Sequence, residues 1–67
     1  MYIKDVELEL PMYVKIRNEL LLQGRSYRWL AMNLGLTYNH TYKMLNGLVS
    51  ITENSRQEIN ELLKSSF

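Results

Sequence analysis

Residues 35–47 read Gly-Leu-Thr-Tyr-Asn-His-Thr-Tyr-Lys-Met-Leu-Asn-Gly, and they follow the apolar stretch Trp-Leu-Ala-Met-Asn-Leu at residues 29–34. Glycine adopts the left-handed backbone of a tight turn without steric cost, and threonine is a common N-cap. Asn-Gly is typical of a helix end. The stretch therefore predicts a turn at Gly35, a helix capped by Thr37 and a stop at Gly47.

Similar start and stop signals recur along the chain. Pro11 suits the first turn of a helix that Gly24 ends, and Ser26 and Thr52 are good N-caps. At 67 residues the chain has room for one domain. We predict an all-α domain over residues 11–67, with helices at about residues 11–23, 27–34, 38–46 and 53–64. Between the last two helices, the apolar residues of the segment 48–51 are expected to seal the core.

The first ten residues follow a different pattern, because apolar and acidic residues alternate. Val6, Leu8 and Leu10 fall on one side of an extended chain, which is the period of a strand. We predict an extended N-terminal arm at residues 1–10. It either packs on the helices or pairs with the same arm of another copy.

Basic residues concentrate in the middle of the chain, whereas the first ten and the last eighteen residues are net acidic. Residues 11–49 contain one acidic residue, Glu19, against Lys15, Arg17, Arg25, Arg28 and Lys43. This bias coincides with the two central helices and favours nucleic-acid binding, but it is weaker than the bias of many DNA-binding domains.

Composition argues against several other classes of protein. The chain contains no cysteine and one histidine, His40, which excludes a disulfide framework and a Cys-ligated zinc site. No group of residues suits acid–base or nucleophilic chemistry, so we expect no enzyme, no metal and no cofactor. No apolar run approaches a membrane span and no signal peptide is visible, so we expect a cytoplasmic protein that does not bind membranes.

The third predicted helix has two different faces. Successive helical residues are about 100° apart, so Tyr38, Asn39, Tyr42 and Lys43 share the outer face, opposite the docking face at residues 41, 44 and 45. Asparagine can bond the edge of adenine, and lysine can reach guanine or a phosphate. A helix, a tight turn and a second helix with such a face is the layout of helix-turn-helix DNA readers.

The motif Ser-Tyr-Arg-Trp-Leu-Ala at residues 26–31, with Gly-Leu-Thr at 35–37 and Asn-Gly at 46–47, resembles the Cro/C1-type family of phage repressor domains. The likeness covers about residues 12–63. It implies a compact four-helix, lambda repressor-like domain. It also implies a sequence-specific DNA-binding transcriptional regulator, a small repressor of a phage or mobile element. Such a protein inserts helix 38–46 into the major groove of double-stranded DNA as a homodimer.

The resemblance also assigns roles to individual positions. It implies that bases are read by Tyr38, Asn39 and Lys43. It implies phosphate contacts by Tyr27 and Asn46, with further contacts from the nearby Arg25, Arg28 and Tyr42.

Four positions depart from the family pattern. Leu20 and Leu45 stand where many members pair Arg with Glu, Thr41 stands where a buried Ile or Val is common, and Tyr27 replaces a glutamine. Trp29 is a fifth unusual residue, because its position is generally polar. It is either a surface residue covered by the N-terminal arm or a contact to a second molecule.

The candidate dimer or partner contacts are Val6, Leu8, Trp29 and Phe67. The light basic charge and the exposed aromatic residues also suit a second function, that of an antirepressor or modulator. Such a protein binds another regulator protein instead of DNA.

Overall fold

Four α-helices make up the regular structure of residues 10–67, the part of the chain that the computed structural model describes. Helix α1 spans Met12–Leu22, α2 spans Tyr27–Leu34, α3 spans Tyr38–Met44 and α4 spans Glu53–Leu63, and these residues contain no strand. The all-α prediction is confirmed for this part. The predicted arm, with Val6 and Leu8, lies outside the described residues except for Leu10, which is exposed.

Three of the helices begin at a hydroxyl cap. The side chains of Ser26, Thr37 and Thr52 each accept a hydrogen bond from the backbone N–H three residues ahead, at 3.0 to 3.1 Å. Pro11, by contrast, is the N-cap of α1 and not its first helical residue, because its ψ of 152° is extended. The helix therefore starts one residue later than predicted.

Each of the four helices is followed, within three residues, by a residue with left-handed backbone. These residues are Gly24, Gly35, Gly47 and Lys64, with φ between 58° and 76°. In each case the following residue donates its N–H to the carbonyl five residues back, at 2.9 to 3.0 Å. This is the Schellman pattern, which satisfies carbonyl groups that a helix end leaves without partners.

Helix α3 is two residues shorter than predicted. The Asn46 N–H bonds the Lys43 carbonyl at 3.3 Å, which is a three-residue and not a four-residue step. The chain tightens here as it enters the left-handed Gly47. A Cβ atom at Gly47 would stand 2.8 Å from the ring of Tyr13, so a larger residue there would displace this ring as well as strain the backbone.

The core lies between the four helices and is almost wholly aliphatic. Its buried apolar side chains are Ile16, Leu20, Leu30, Ala31, Met44, Leu45, Ile59 and Leu63. Leu20 and Leu45, two of the positions that depart from the family pattern, thus fill the core. The buried hydroxyl of Thr41 donates to the Thr37 carbonyl at 3.1 Å, so its polar group is satisfied.

The segment between α3 and α4 seals the core only in part. Val49 and Ile51 are half-buried against the core, as predicted for this segment. Leu48 was expected to do the same, but it is 66% exposed. It lines an open cleft beside Tyr13 instead. None of the helices in residues 10–67 is long and apolar enough to cross a membrane.

Candidate nucleic-acid interface

The outer face of α3 is exposed along its whole length. Tyr38 and Tyr42 are 47% and 45% exposed, and Asn39 and Lys43 are exposed beside them. The opposite face is buried at Thr41 and Met44. The three residues predicted to read bases therefore lie on one open surface.

Three tyrosine rings connect the start of α2 to this face. The ring centroids of Tyr27 and Tyr42 are 6.3 Å apart at an interplanar angle of 58°. Those of Tyr38 and Tyr42 are 6.5 Å apart at 35°. Tilted pairs at this separation are favourable contacts between aromatic rings. We call Tyr27, Tyr42 and Tyr38 the aromatic row. The half-buried Tyr27 contacts Tyr42, which in turn contacts Tyr38, so the two tyrosine rings on the outer face of α3 are restrained.

Cationic side chains border the aromatic row. The guanidinium carbon of Arg28 lies 5.4 Å from the centroid of Tyr38, a distance at which cation–π attraction operates. Lys43 is exposed on the last turn of α3. The sequence has no Asp or Glu between Glu19 and Glu53, so no carboxylate from this stretch offsets the positive charge.

Asn46, a predicted phosphate contact, is half-buried and serves the end of α3. Its side-chain amide donates to the Tyr42 carbonyl at 2.8 Å. Its Oδ1 accepts from Nη1 of Arg17, which also donates to the Leu45 carbonyl, both at 3.3 Å. An asparagine amide carries two N–H donors, which leaves one of them for a phosphate.

Arg17 is the residue that sequence reasoning missed. Its guanidinium supports the carboxyl end of α3, where a cation complements the unpaired carbonyls. The signal in the sequence was weak, because Arg17 is one of five basic residues in the stretch 11–49. The sequence could not show that a side chain on α1 reaches the end of α3.

Trp29 and Arg25 contact each other. Trp29 is half-buried against the core, and the guanidinium carbon of Arg25 lies 4.5 Å from its ring. Arg25 thus covers part of the surface that was assigned to a partner. It remains exposed itself, so its predicted phosphate contact is compatible with this position.

Phe67 packs back onto the core and is half-buried. Its N–H donates to Oδ1 of Asn60 at 2.8 Å, and its carbonyl accepts from Arg56 at 2.7 Å. These bonds dock the tail on α4. The roles of Trp29 and Phe67 as dimer contacts stay predictions, and those of Val6 and Leu8 lie outside the described residues.

Two open clefts lie on the surface of the described residues. One, of about 370 Å³, lies between the start of α1 and the segment after α3, and Tyr13, Leu48 and Ile51 are among its lining residues. The other, of about 310 Å³, borders the aromatic row at Arg25 and Tyr27. Within residues 10–67, no three His, Asp or Glu side chains are grouped as metal ligands would be.

Comparison of the chain with models of protein families, with curated proteins and with solved structures gave no match.

Proposed function

We propose that this protein is a sequence-specific DNA-binding transcriptional regulator, a small helix-turn-helix repressor of a phage or mobile element. In this proposal α2, the turn at Gly35 and α3 form the helix-turn-helix unit. The observation that carries it is the outer face of α3, on which Tyr38, Asn39 and Lys43 are exposed together above a buried inner face.

The chemistry of that face suits the major groove, which is wide enough to admit an α-helix. The exposed amide of Asn39 offers a donor and an acceptor, and adenine presents the complementary pair there. Lys43 stands one turn further on and reaches guanine acceptors or a phosphate. These two side chains supply the sequence preference.

The start of α2 supplies contacts to the DNA backbone. The guanidinium carbon of Arg28 lies 5.4 Å from the Tyr38 ring centroid. The side chain is exposed, so its N–H groups are accessible to phosphate oxygens. Arg25 and Tyr27 lie beside it. Phosphate contacts of this kind fix the position of the protein on the duplex without reading its sequence.

One helix-turn-helix unit reads only a few base pairs, so the DNA-binding form is expected to be a dimer on a two-fold site. The candidate contacts between protomers are those named above, at Trp29, Phe67 and the N-terminal residues Val6 and Leu8. Sedimentation of the protein with and without its DNA site tests the dimer directly.

DNA binding is tested by selecting duplexes from a random pool and titrating the selected duplex against salt. Each phosphate contact releases a counterion, so the affinity must fall steeply as salt rises. Asn39→Ala should weaken preference at one base pair by about 1–3 kcal/mol, and Lys43→Ala should weaken binding by a similar amount at most. Lys15→Ala is the matched control, because it removes an exposed lysine of α1 outside the proposed surface.

The result that contradicts this function is the absence of any selected sequence, or affinities that neither Asn39→Ala nor Lys43→Ala changes. One observation favours the alternative in that event. The half-exposed rings of Tyr38 and Tyr42 resemble the anchors of protein–protein contacts. An antirepressor would bind a purified repressor with little dependence on salt and would give no DNA shift alone.

A further inference from the structure

If α3 enters the major groove, the exposed tyrosine rings of the aromatic row bring an apolar surface against the DNA. Tyr38 and Tyr42 keep nearly half of their surface open, although aromatic rings gain free energy by leaving water. In the major groove of unmodified DNA, the base edges present hydrogen-bonding groups and one apolar group, the C5-methyl of thymine. The thymine methyl group is therefore the apolar group of the bases against which the tyrosine rings can pack.

The position of the rings on α3 strengthens this argument. Tyr38 and Tyr42 are separated by four residues, a rise of about 6 Å along the helix, and Asn39 and Lys43 lie directly beside them in the sequence. A duplex that places base edges against Asn39 or Lys43 brings adjacent bases to the rings. The contacts with Arg28 and Tyr27 restrain the two rings before DNA arrives.

We infer that the DNA site contains thymine whose C5-methyl group packs against Tyr38 or Tyr42. This inference rests on the proposed DNA-binding function and adds to it the base that the aromatic row selects. Asn39 and Lys43 read hydrogen-bonding edges, and the rings read a methyl group. The sequence of the DNA site is therefore selected both by hydrogen bonds to base edges and by apolar packing on a thymine methyl group.

The experiment replaces each thymine of the selected duplex, one at a time, by deoxyuridine. This change removes the methyl group and keeps both the base pair and the O4 acceptor. Burial of one methyl group corresponds to about a fourfold change in Kd. We expect one or two positions at which deoxyuridine weakens binding of the wild-type protein by about that factor.

Variants assign the methyl contact to the rings. Tyr38→Ala or Tyr42→Ala should remove the thymine-to-uracil difference at its position, whereas Tyr38→Phe and Tyr42→Phe should retain it because the ring remains. Lys43→Ala is the control on the same face, since it should weaken binding of both duplexes and leave their ratio unchanged. Circular dichroism checks that each variant is folded, and Tyr38→Gln and Tyr42→Gln replace any alanine variant that is not.

Three outcomes would overturn the inference. If DNA binds and no deoxyuridine weakens it, the proposed function stands and the methyl contact is wrong. If a methyl effect persists in the alanine or glutamine variants of both tyrosines, another residue reads it. If no duplex is bound at all, the proposed function fails and the inference fails with it.

Discussion

The inner and outer faces of α3 belong to one helix of seven residues, yet they have opposite surroundings. Thr41 and Met44 on the inner face are fully enclosed, whereas Tyr38 and Tyr42 on the outer face keep nearly half of their surface open. An inner substitution removes packing and so changes the free energy of unfolding. A substitution at the exposed Asn39 or Lys43 of the outer face removes few contacts within the protein, so it should change binding more than stability. Stability and recognition should therefore be separable by mutation within one short helix.

Met44→Ala gives the strongest test of this separation. Truncation of a buried methionine leaves a cavity and should lower the free energy of unfolding by about 2–5 kcal/mol. Its neighbour in sequence, Lys43→Ala, is the control and should change that free energy by less than about 0.5 kcal/mol. Urea unfolding followed by circular dichroism measures both, and equal losses in the two variants would break the comparison.

Gly47→Ala should give the next largest effect, because it places strain at the end of the same helix. Left-handed backbone costs a non-glycine residue about 1–2 kcal/mol, and the new Cβ would also press on the Tyr13 ring at 2.8 Å. Gly24→Ala is the matched control, since its φ is 68° but no atom lies within 4 Å of the added Cβ. Thermal unfolding should show a loss at position 47 that exceeds the loss at 24 by about 1 kcal/mol or more. Equal losses would mean that the Tyr13 contact costs nothing.

Thr41→Val tests whether the hydroxyl of Thr41, the one polar side chain of the inner face, contributes to stability. The Thr37 carbonyl keeps a hydrogen bond from the Thr41 N–H at 3.1 Å after the hydroxyl is removed. The loss of one hydrogen bond and the gain of a buried methyl group are each worth about 1 kcal/mol and oppose each other. We expect a net change in the free energy of unfolding below about 1 kcal/mol. A loss above about 2 kcal/mol would show that the hydroxyl is essential to the inner face.

The ion pair of Glu53 and Arg56 should have the smallest effect, because it lies on the surface of α4. The hydrogen bond from Arg56 lowers the pKa of the Glu53 carboxyl below its usual value of 4.5. A carboxyl whose pKa is lower in the folded state stabilises the protein above the unfolded pKa. That stabilisation is lost as the pH falls through the folded pKa. The difference in Tm between the wild-type protein and Glu53→Gln should therefore shrink below about pH 4.5. A difference that grows on acidification would contradict the assignment.

The helices could be predicted because their start and stop signals are local. Ser26, Thr37 and Thr52 cap the backbone three residues ahead, and each glycine has the left-handed backbone that ends a helix. The two faces of α3 followed from helical geometry alone. Such signals need no knowledge of the tertiary structure.

Features that depend on tertiary placement could not be predicted. Arg17 is 28 residues from Leu45 in the sequence, and its contact there exists only because α1 passes the end of α3. The outward direction of Leu48 depends on how the chain leaves Gly47. The cover of Trp29 by Arg25 depends on the side-chain conformations of both. In each case, composition and spacing were compatible with more than one arrangement.

The shortness of α3 has a consequence for how binding responds to temperature. A helix of seven residues is not stable by itself in water, so the outer face exists only in molecules whose core is formed. The apparent affinity for any ligand of that face therefore scales with the folded fraction. Heating, or a core substitution severe enough to unfold part of the population, should weaken binding without altering a single contact to the ligand. The ligand in turn should raise the Tm of the whole domain, by linkage.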